Sequence, residues 1–421
     1  MEQGVLDGVR VLDFGRYIAA PFCSSLLADL GAEVVRVEQI DGNEDRYLMP
    51  VTPAGEGAMH LQVNRNKKSL AIDIARPEGR EIIRRLIGDY DVVVANLTPK
   101  VLSRLGLDYA TVSAINPRIV LTTITSYGTA GPFGDVIGFD GIGQALSGGV
   151  YLTGVEDQPF RSAVSYVDYA TGISAGFGTL AAIMSRSQTG LGQHIEASLL
   201  KTALTMTNTM LIEEATGARR RKPIGNRSPV AGPSDIVATS DGWMLIQVVG
   251  QDMFARWAGL VGASHLVSDP RFADDIGRGE HGAILTVITA KWCRGRTTDD
   301  CLAELKAQRI PSCRVLSPAE ALHAPEVGQR GFFSWQRRDD LATAVPIVTS
   351  VASLSAAPYE ATMPAPELGA DTREILLSAG YGEPEIARLA EQRVVNCGDV
   401  RARRLSAADG PSAVQRKDER S

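Results

Sequence analysis

Val9-Arg10-Val11-Leu12-Asp13-Phe14, continuing through Gly15-Arg16-Tyr17-Ile18-Ala19-Ala20-Pro21 to Glu33-Val34-Val35-Arg36-Val37-Glu38, is the stretch that decides the fold. Its two ends are short, mostly apolar runs rich in β-branched residues, the composition of strands buried on both faces. Between them Pro21 to Leu30 reads as a helix opened by proline and closed by Gly31. Strand, helix, strand in under forty residues is one βαβ unit. The pattern recurs with Ser69 to Ile74 extended, Pro77 to Gly88 helical, Asp91 to Ala95 a strand and Arg118 to Thr125 another. Such alternation implies an α/β fold with a Rossmann-like, mostly parallel sheet covered on both sides.

Further along, Tyr169 to Arg186 is a helix rich in alanine and glycine, whose neighbours can approach closely, and Ser198 to Thr216 is a long apolar helix. After the basic run Arg219-Arg220-Arg221-Lys222 the composition shifts, and Asp235 to Val248 reads as a hairpin about Ser240-Asp241-Gly242. The expected organisation is a large domain from residues 1–205 and 328–395, a linker at 206–225, a smaller α+β domain at 226–327, and a disordered polar tail at 396–421.

The chain has 421 residues, 44% of them hydrophobic and 22% charged, so a large core is available. A net charge of −6 argues against general nucleic-acid binding. No apolar run is long enough to span a membrane, and no secretory signal opens the chain. The five cysteines are scattered and form no C-x-x-C pair, and the five histidines lack ligand spacing. The expectation is a cytoplasmic protein with reduced thiols, no metal and no nucleic-acid or membrane partner.

Asp168 is the leading candidate for chemistry. It lies in Ser165-Tyr166-Val167-Asp168-Tyr169, just before the small-residue helix. A carboxylate there is expected near unpaired backbone N–H groups, held ionised and aimed, which suits a cap or a nucleophile. The first βα turn lacks G-x-G-x-x-G, so Glu38 does not mark a dinucleotide site, although the turn can still hold a phosphate. Asn64-Arg65-Asn66-Lys67-Lys68-Ser69 reads either as a solvated turn or as a loop recognising phosphates and an adenine edge. Asn96 follows a parallel strand at its carboxyl end, where such sheets bind ligands, but asparagine alone is more often a turn residue. Asp140, in Gly138-Phe139-Asp140, reads as a second acid near the chemistry or as a helix cap. No G-x-S-x-G elbow is present.

In this order the segments resemble the family III CoA-transferases, the carnitine- and formyl-CoA-transferase type also called CaiB/BaiF. The carriers are Gly8 to Phe14, Ala28 to Glu38, Asn64 to Leu70, Ala95-Asn96 with Arg104-Leu105-Gly106-Leu107, and Tyr127-Gly128 with Gly131-Pro132. Gly138-Phe139-Asp140, Asp168 with Gly172, Thr189-Gly190-Leu191-Gly192-Gln193, Ile310 to Val315 and Pro366-Glu367-Leu368-Gly369 complete them. The resemblance spans roughly the first 390 residues. It implies an enzyme that moves CoA from an acyl-CoA donor, with succinyl-CoA a reasonable guess, to a small carboxylic acid. CoA is then a substrate, and no cofactor is permanently held. It further implies an aspartyl-CoA thioester on Asp168, Asp140 as a second acid, a CoA site at Arg16, Tyr17, Lys67, Lys68, Ile72, Asn96 and Arg104, and an interlocked homodimer.

Departures narrow the reading. Formyl-type members carry glutamine where this chain has Ile18, a glycine run where it has Val248-Val249-Gly250-Gln251-Asp252, and glutamate at Asp140. The α-methylacyl-CoA racemase branch places a histidine where this chain has Phe139, and phenylalanine moves no proton. A racemase-like isomerase and a non-catalytic CoA-binding protein remain the alternatives.

Overall fold

The computed structural model describes residues 4–328, 331–338, 340–348, 350, 352, 354–355 and 363–398. The first βαβ unit forms as β1 (Arg10–Asp13), α1 (Ala19–Asp29) and β2 (Glu33–Glu38). It is followed by β3 (Lys67–Ile72), α2 (Pro77–Asp89), β4 (Val92–Ala95) and β5 (Val120–Thr125). Three helices carry the chain onward: α3 (Asp140–Leu146), α4 (Tyr166–Thr189) and α5 (Leu199–Ala215), with β6 (His194–Ser198) between the last two.

The strands form one seven-stranded sheet. Its order is β3-β2-β1-β4-β5-β6, all parallel, with Val395–Asn396 added antiparallel to β3 at the edge. Chain direction across the sheet reverses between β1 and β4, which opens a crevice at their carboxyl ends. Successive strand residues go to opposite faces. Leu12, Val35 and Val93 join one buried cluster with Ile82, Leu86 and Ile375. Val11, Val34 and Val92 join another with Cys23, Leu27, Val167 and Ala175. Two covered faces explain why the strands read as continuous apolar runs.

Glycine brings α4 against α1. A Cβ at Gly172 would lie 2.7 Å from the Ala19 carbonyl oxygen and 3.2 Å from Phe22 Cδ1. The absent side chain permits the close approach anticipated for this small-residue helix.

The chain divides into two compact units. One holds the described residues within 1–143, 165–205 and 332–421, the other those within 144–164 and 206–331. Residues 144–164, expected in the large domain, and 206–225, expected as a linker, thus group with the second unit. That unit contains the anticipated hairpin, Ser234–Ala238 against Trp243–Gln247, extended by Ser312–Arg314 into a three-stranded antiparallel sheet. Met244, Ile246, Phe254, Trp257 and Leu285 form its core. Asn396, expected to begin the tail, is a strand residue paired with Ala71. Residues 399–421 lie outside the described residues. No helix among the described residues is long and apolar enough to cross a membrane.

Candidate active site

A pocket of about 410 Å³ opens at the carboxyl ends of the first four strands. Phe14, Arg16, Glu38, Ile72, Leu97 and Arg104 are among its walls. Three of the residues that the resemblance offered for a CoA site, Arg16, Ile72 and Arg104, line this pocket. Arg104 is exposed and makes no ion pair among the described residues, so its guanidinium stands available to a bidentate anion. Glu38 is an ionised carboxylate whose charge is offset by its partners. It is buried between Arg36 and Arg46, at 3.3 Å and 2.5 Å, and these hold its carboxyl far below the usual carboxylate range against the opposing effect of burial.

Asn96 acts on Arg16. Its Oδ1 accepts the Arg16 backbone N–H at 2.9 Å, and its Nδ2 donates to the Arg16 carbonyl at 2.8 Å. Both ends of the amide are therefore engaged in joining the turn after β1 to the end of β4. The sequence offered Asn96 as a ligand contact or a turn residue, and its amide here ties the backbone of the Arg16 turn. Arg16 itself reaches Glu44 Oε1 at 3.1 Å.

Tyr17 sits at φ 61°, in the left-handed region that costs a residue with a side chain about 1–3 kcal/mol. Asp45 holds it there by accepting its N–H at 3.1 Å, while both oxygens of the same carboxylate accept from Nη2 of buried Arg36 at 3.0 Å and 2.9 Å. Nothing in the sequence pattern marks Glu44 and Asp45, because Arg16 and Tyr17 lie 27 to 28 residues upstream and Arg36 reaches Asp45 from β2, nine residues before it. The Tyr17 ring packs edge-on to Phe139, centroids 5.3 Å apart.

The two lysines depart from expectation. Lys67 is fully buried on β3. Its ammonium donates to Asp13 Oδ2 at 2.8 Å, the Pro21 carbonyl at 2.8 Å and Asn64 Oδ1 at 3.0 Å. It cannot meet a phosphate without dismantling this network. Lys68 lies between Glu33 at 3.2 Å and Glu374 at 2.9 Å, and is not among the pocket residues. The lysine half of the basic loop is the start of β3, and residues 64–66 form the turn before it: the charge pattern was real, but its counter-charges come from distant segments.

Asp168 is half-buried in the first turn of α4, which begins three residues earlier than expected. The Ser165 side chain does not cap the helix. Buried Asp140, the first residue of α3, does so from outside, its Oδ1 accepting the backbone N–H of Val167 at 2.8 Å and of Asp168 at 3.0 Å. The N–H groups expected to hold Asp168 ionised are therefore taken. Burial, and then the negative charge of Asp140, push the Asp168 carboxyl up to about 7. That reverses the expectation drawn from helix-end electrostatics alone. Among the described residues no group of three or more His, Cys, Asp or Glu is placed to hold a metal ion.

The turn after β1 links these features. Arg16 lines the pocket, Tyr17 packs on Phe139, and Phe139 precedes Asp140, which caps the helix bearing Asp168.

Residues 6–372 match CoA-transferase family III, and the chain belongs to that family. It is 33% identical to the succinyl-CoA–D-citramalate CoA-transferase of Chloroflexus aurantiacus over 93% of this chain and 98% of that protein. It is 30% identical to the succinate–glutarate CoA-transferase of Agrobacterium fabrum over 88% and 94%. The crystal structure of a CaiB/BaiF family protein from Brucella suis superposes with a TM-score of 0.80 at 29% identity, covering 90% of this chain and all of that one. The protein is accordingly a transferase that moves CoA from an acyl-CoA to an acid acceptor.

Proposed function

We propose that CoA passes from succinyl-CoA to a small dicarboxylic or hydroxy-dicarboxylic acid through covalent intermediates on Asp168. The observation that carries the reading is the Asp168 carboxyl itself, half-buried at a helix start and with its basicity raised to about 7. A more basic carboxylate is a stronger nucleophile while remaining substantially ionised near neutral pH. The names of the relatives support the donor and acceptor classes.

The Asp168 carboxylate attacks the thioester carbonyl, and the resulting oxyanion expels CoA thiolate to leave a mixed anhydride. The thiolate then attacks the Asp168 carbonyl of that anhydride. This releases the donor carboxylate and forms an aspartyl-CoA thioester. The acceptor carboxylate attacks that thioester, thiolate leaves again, and its attack on the acceptor acyl carbonyl gives the new acyl-CoA and restores Asp168. No net proton is consumed. One thioester replaces another, so the exchange is nearly isoenergetic, and covalent catalysis divides it into easier steps. The N–H groups of Val167 and Asp168 are engaged by Asp140, so oxyanion stabilisation falls to other donors, for which the glycine loops are the candidates.

In this reading Arg16 and Arg104 hold phosphate groups of CoA and Ile72 packs on its adenine, while Asn96 and Asp45 position the turn that bears Arg16 and Tyr17. The homodimer implied by the resemblance belongs to the same proposal. The exposed stripe of Ile173, Phe177 and Met184 on α4 is a surface of the kind a second copy would cover.

The test is chromatographic. Purified protein is incubated with succinyl-CoA and a panel of acceptors including citramalate, glutarate, malate, oxalate and acetate. Formation of the acceptor's CoA thioester with the small diacids, with ping-pong kinetics, supports the reading. Exchange only with acetate or another monocarboxylate would overturn the substrate assignment.

A further inference from the structure

We infer that Asp140 is a positioning residue for Asp168, fixing the first turn of α4 through one oxygen and setting the charge state of the neighbouring carboxyl with its own negative charge, without touching substrate. The inference rests on the reading of Asp168 as the nucleophile and gives the second acid of the site a different task from proton transfer.

The geometry separates the two tasks. An acid that exchanges protons with a substrate needs an oxygen directed at the reacting atoms. Asp140 is 4% exposed, and its Oδ1 lies 2.8 Å and 3.0 Å from the backbone nitrogens of Val167 and Asp168. A helix cap is normally supplied by the residue preceding the helix, so here a different helix provides it. Its source has an electrostatic consequence. A local serine would satisfy the same N–H groups without adding charge, whereas Asp140 sets an anion beside a carboxyl already desolvated by burial.

Among the described residues no other charge facing Asp168 competes. The first two turns of α1 bring Phe22 and Cys23, and its only acid, Asp29, is paired with Arg65 at the far end. The preceding turn brings Arg16 and Tyr17, both bonded to Glu44. Helix α4 itself carries Tyr166 and Tyr169, each raised by burial and by the neighbouring acids, and its Arg186 is at the opposite end, paired with Asp91. β5 has no charged residue, β6 carries His194 and Glu196 with Glu196 bonded to Thr129, and α5 opens with Lys201 near its start. The raised basicity of Asp168 thus traces to burial and to Asp140.

The test separates capping from charge. D140N keeps an oxygen that accepts the two N–H bonds but removes the charge, D140E keeps the charge, and D140A removes both. Protein carrying ¹³Cγ-labelled aspartate is titrated by NMR, with the Asp168 resonance assigned by its loss in D168N. In D140N the Asp168 midpoint is expected to fall by about one unit, a roughly tenfold gain in the ionised-to-protonated ratio on its acid side. D140E should keep the native midpoint, and D140A should melt earlier than D140N. The acid limb of hydroxamate formation on Asp168, measured with succinyl-CoA and hydroxylamine, should move with the NMR midpoint. An unmoved midpoint in a folded D140N, or a D140N that loses transfer at every pH while its midpoint falls, overturns the inference. Absence of hydroxamate in the native protein with a shifted midpoint in D140N would instead defeat the reading of Asp168 as nucleophile and leave the electrostatic coupling standing.

Discussion

Lys67 Nζ lies 2.8 Å from Asp13 Oδ2, with both side chains fully buried beneath the first βα turn. The same Asp13 carboxylate accepts the Gly15 N–H at 2.7 Å and the Ser24 hydroxyl at 2.6 Å. A basic pair that reads as a solvent-facing phosphate loop therefore contains one member built into the foundation of the site. Replacing Lys67 with alanine leaves a buried carboxylate without its counter-charge and should cost about 3–5 kcal/mol. Chemical denaturation checks this. A variant of native stability with only a raised KM for acyl-CoA would restore Lys67 to the pocket.

The same pair sets a pH dependence. Burial, opposed in part by Asp13, lowers Lys67 from 10.5 to about 8. Between those values the unfolded chain binds more protons at this residue than the folded one. The stability contributed by Lys67 therefore rises with pH through that window and is flat below about 8. Comparing denaturation of native protein and K67M across the window isolates the trend, which K67M should lack.

Asp168 has the opposite sign. Its folded value of about 7 lies above the ordinary 3.8, so between these the folded state binds more protons and stability falls as pH rises. D168N should be inactive in transfer yet melt higher than native protein near neutral pH, with the difference fading towards pH 4. Equal melting temperatures throughout would mean that Asp168 is relaxed in the folded state.

Arg104 and Asn96 should separate by kinetics. R104A removes an available charge from the pocket and should raise KM for acyl-CoA about tenfold to a hundredfold, with a weakened salt dependence. N96A releases both bonds to Arg16 and should raise KM while leaving that salt dependence intact. Initial rates at two ionic strengths measure both effects.

Tyr17 tests whether the strained turn is held by its surroundings. Y17A keeps a side chain at φ 61° and loses the ring contact with Phe139, whereas Y17G also removes the strain. Y17G should be more stable than Y17A by about 1 kcal/mol in thermal unfolding.

The sheet was legible because burial on both faces writes itself locally, as at Val92-Val93-Val94, where neighbours enter opposite clusters. The helix of Asp168 was legible from its small residues, since Gly172 is needed wherever α4 meets α1. The ends were less so. α1 begins at Ala19, two residues before Pro21, because the proline fits within a first turn that needs no N–H there. Whether Lys67 meets solvent or Asp13, and whether the start of α4 is free or capped by Asp140, depend on partners 54 and 27 residues away. Local pattern holds no record of such partners. Asp45 was missed because its value lies in tying Tyr17, 28 residues upstream, to Arg36.

The most direct measurement is peptide mass spectrometry of protein incubated with succinyl-CoA, with and without hydroxylamine. Hydroxylamine attacks the activated aspartyl carbonyl and displaces CoA from the thioester, or succinate from the anhydride, leaving an aspartyl hydroxamate. The account predicts that modification on Asp168, dependent on both reagents and absent in Asp168→Ala. Acyl-CoA turnover by native protein with Asp168 unmodified, or turnover retained by Asp168→Ala, would contradict it.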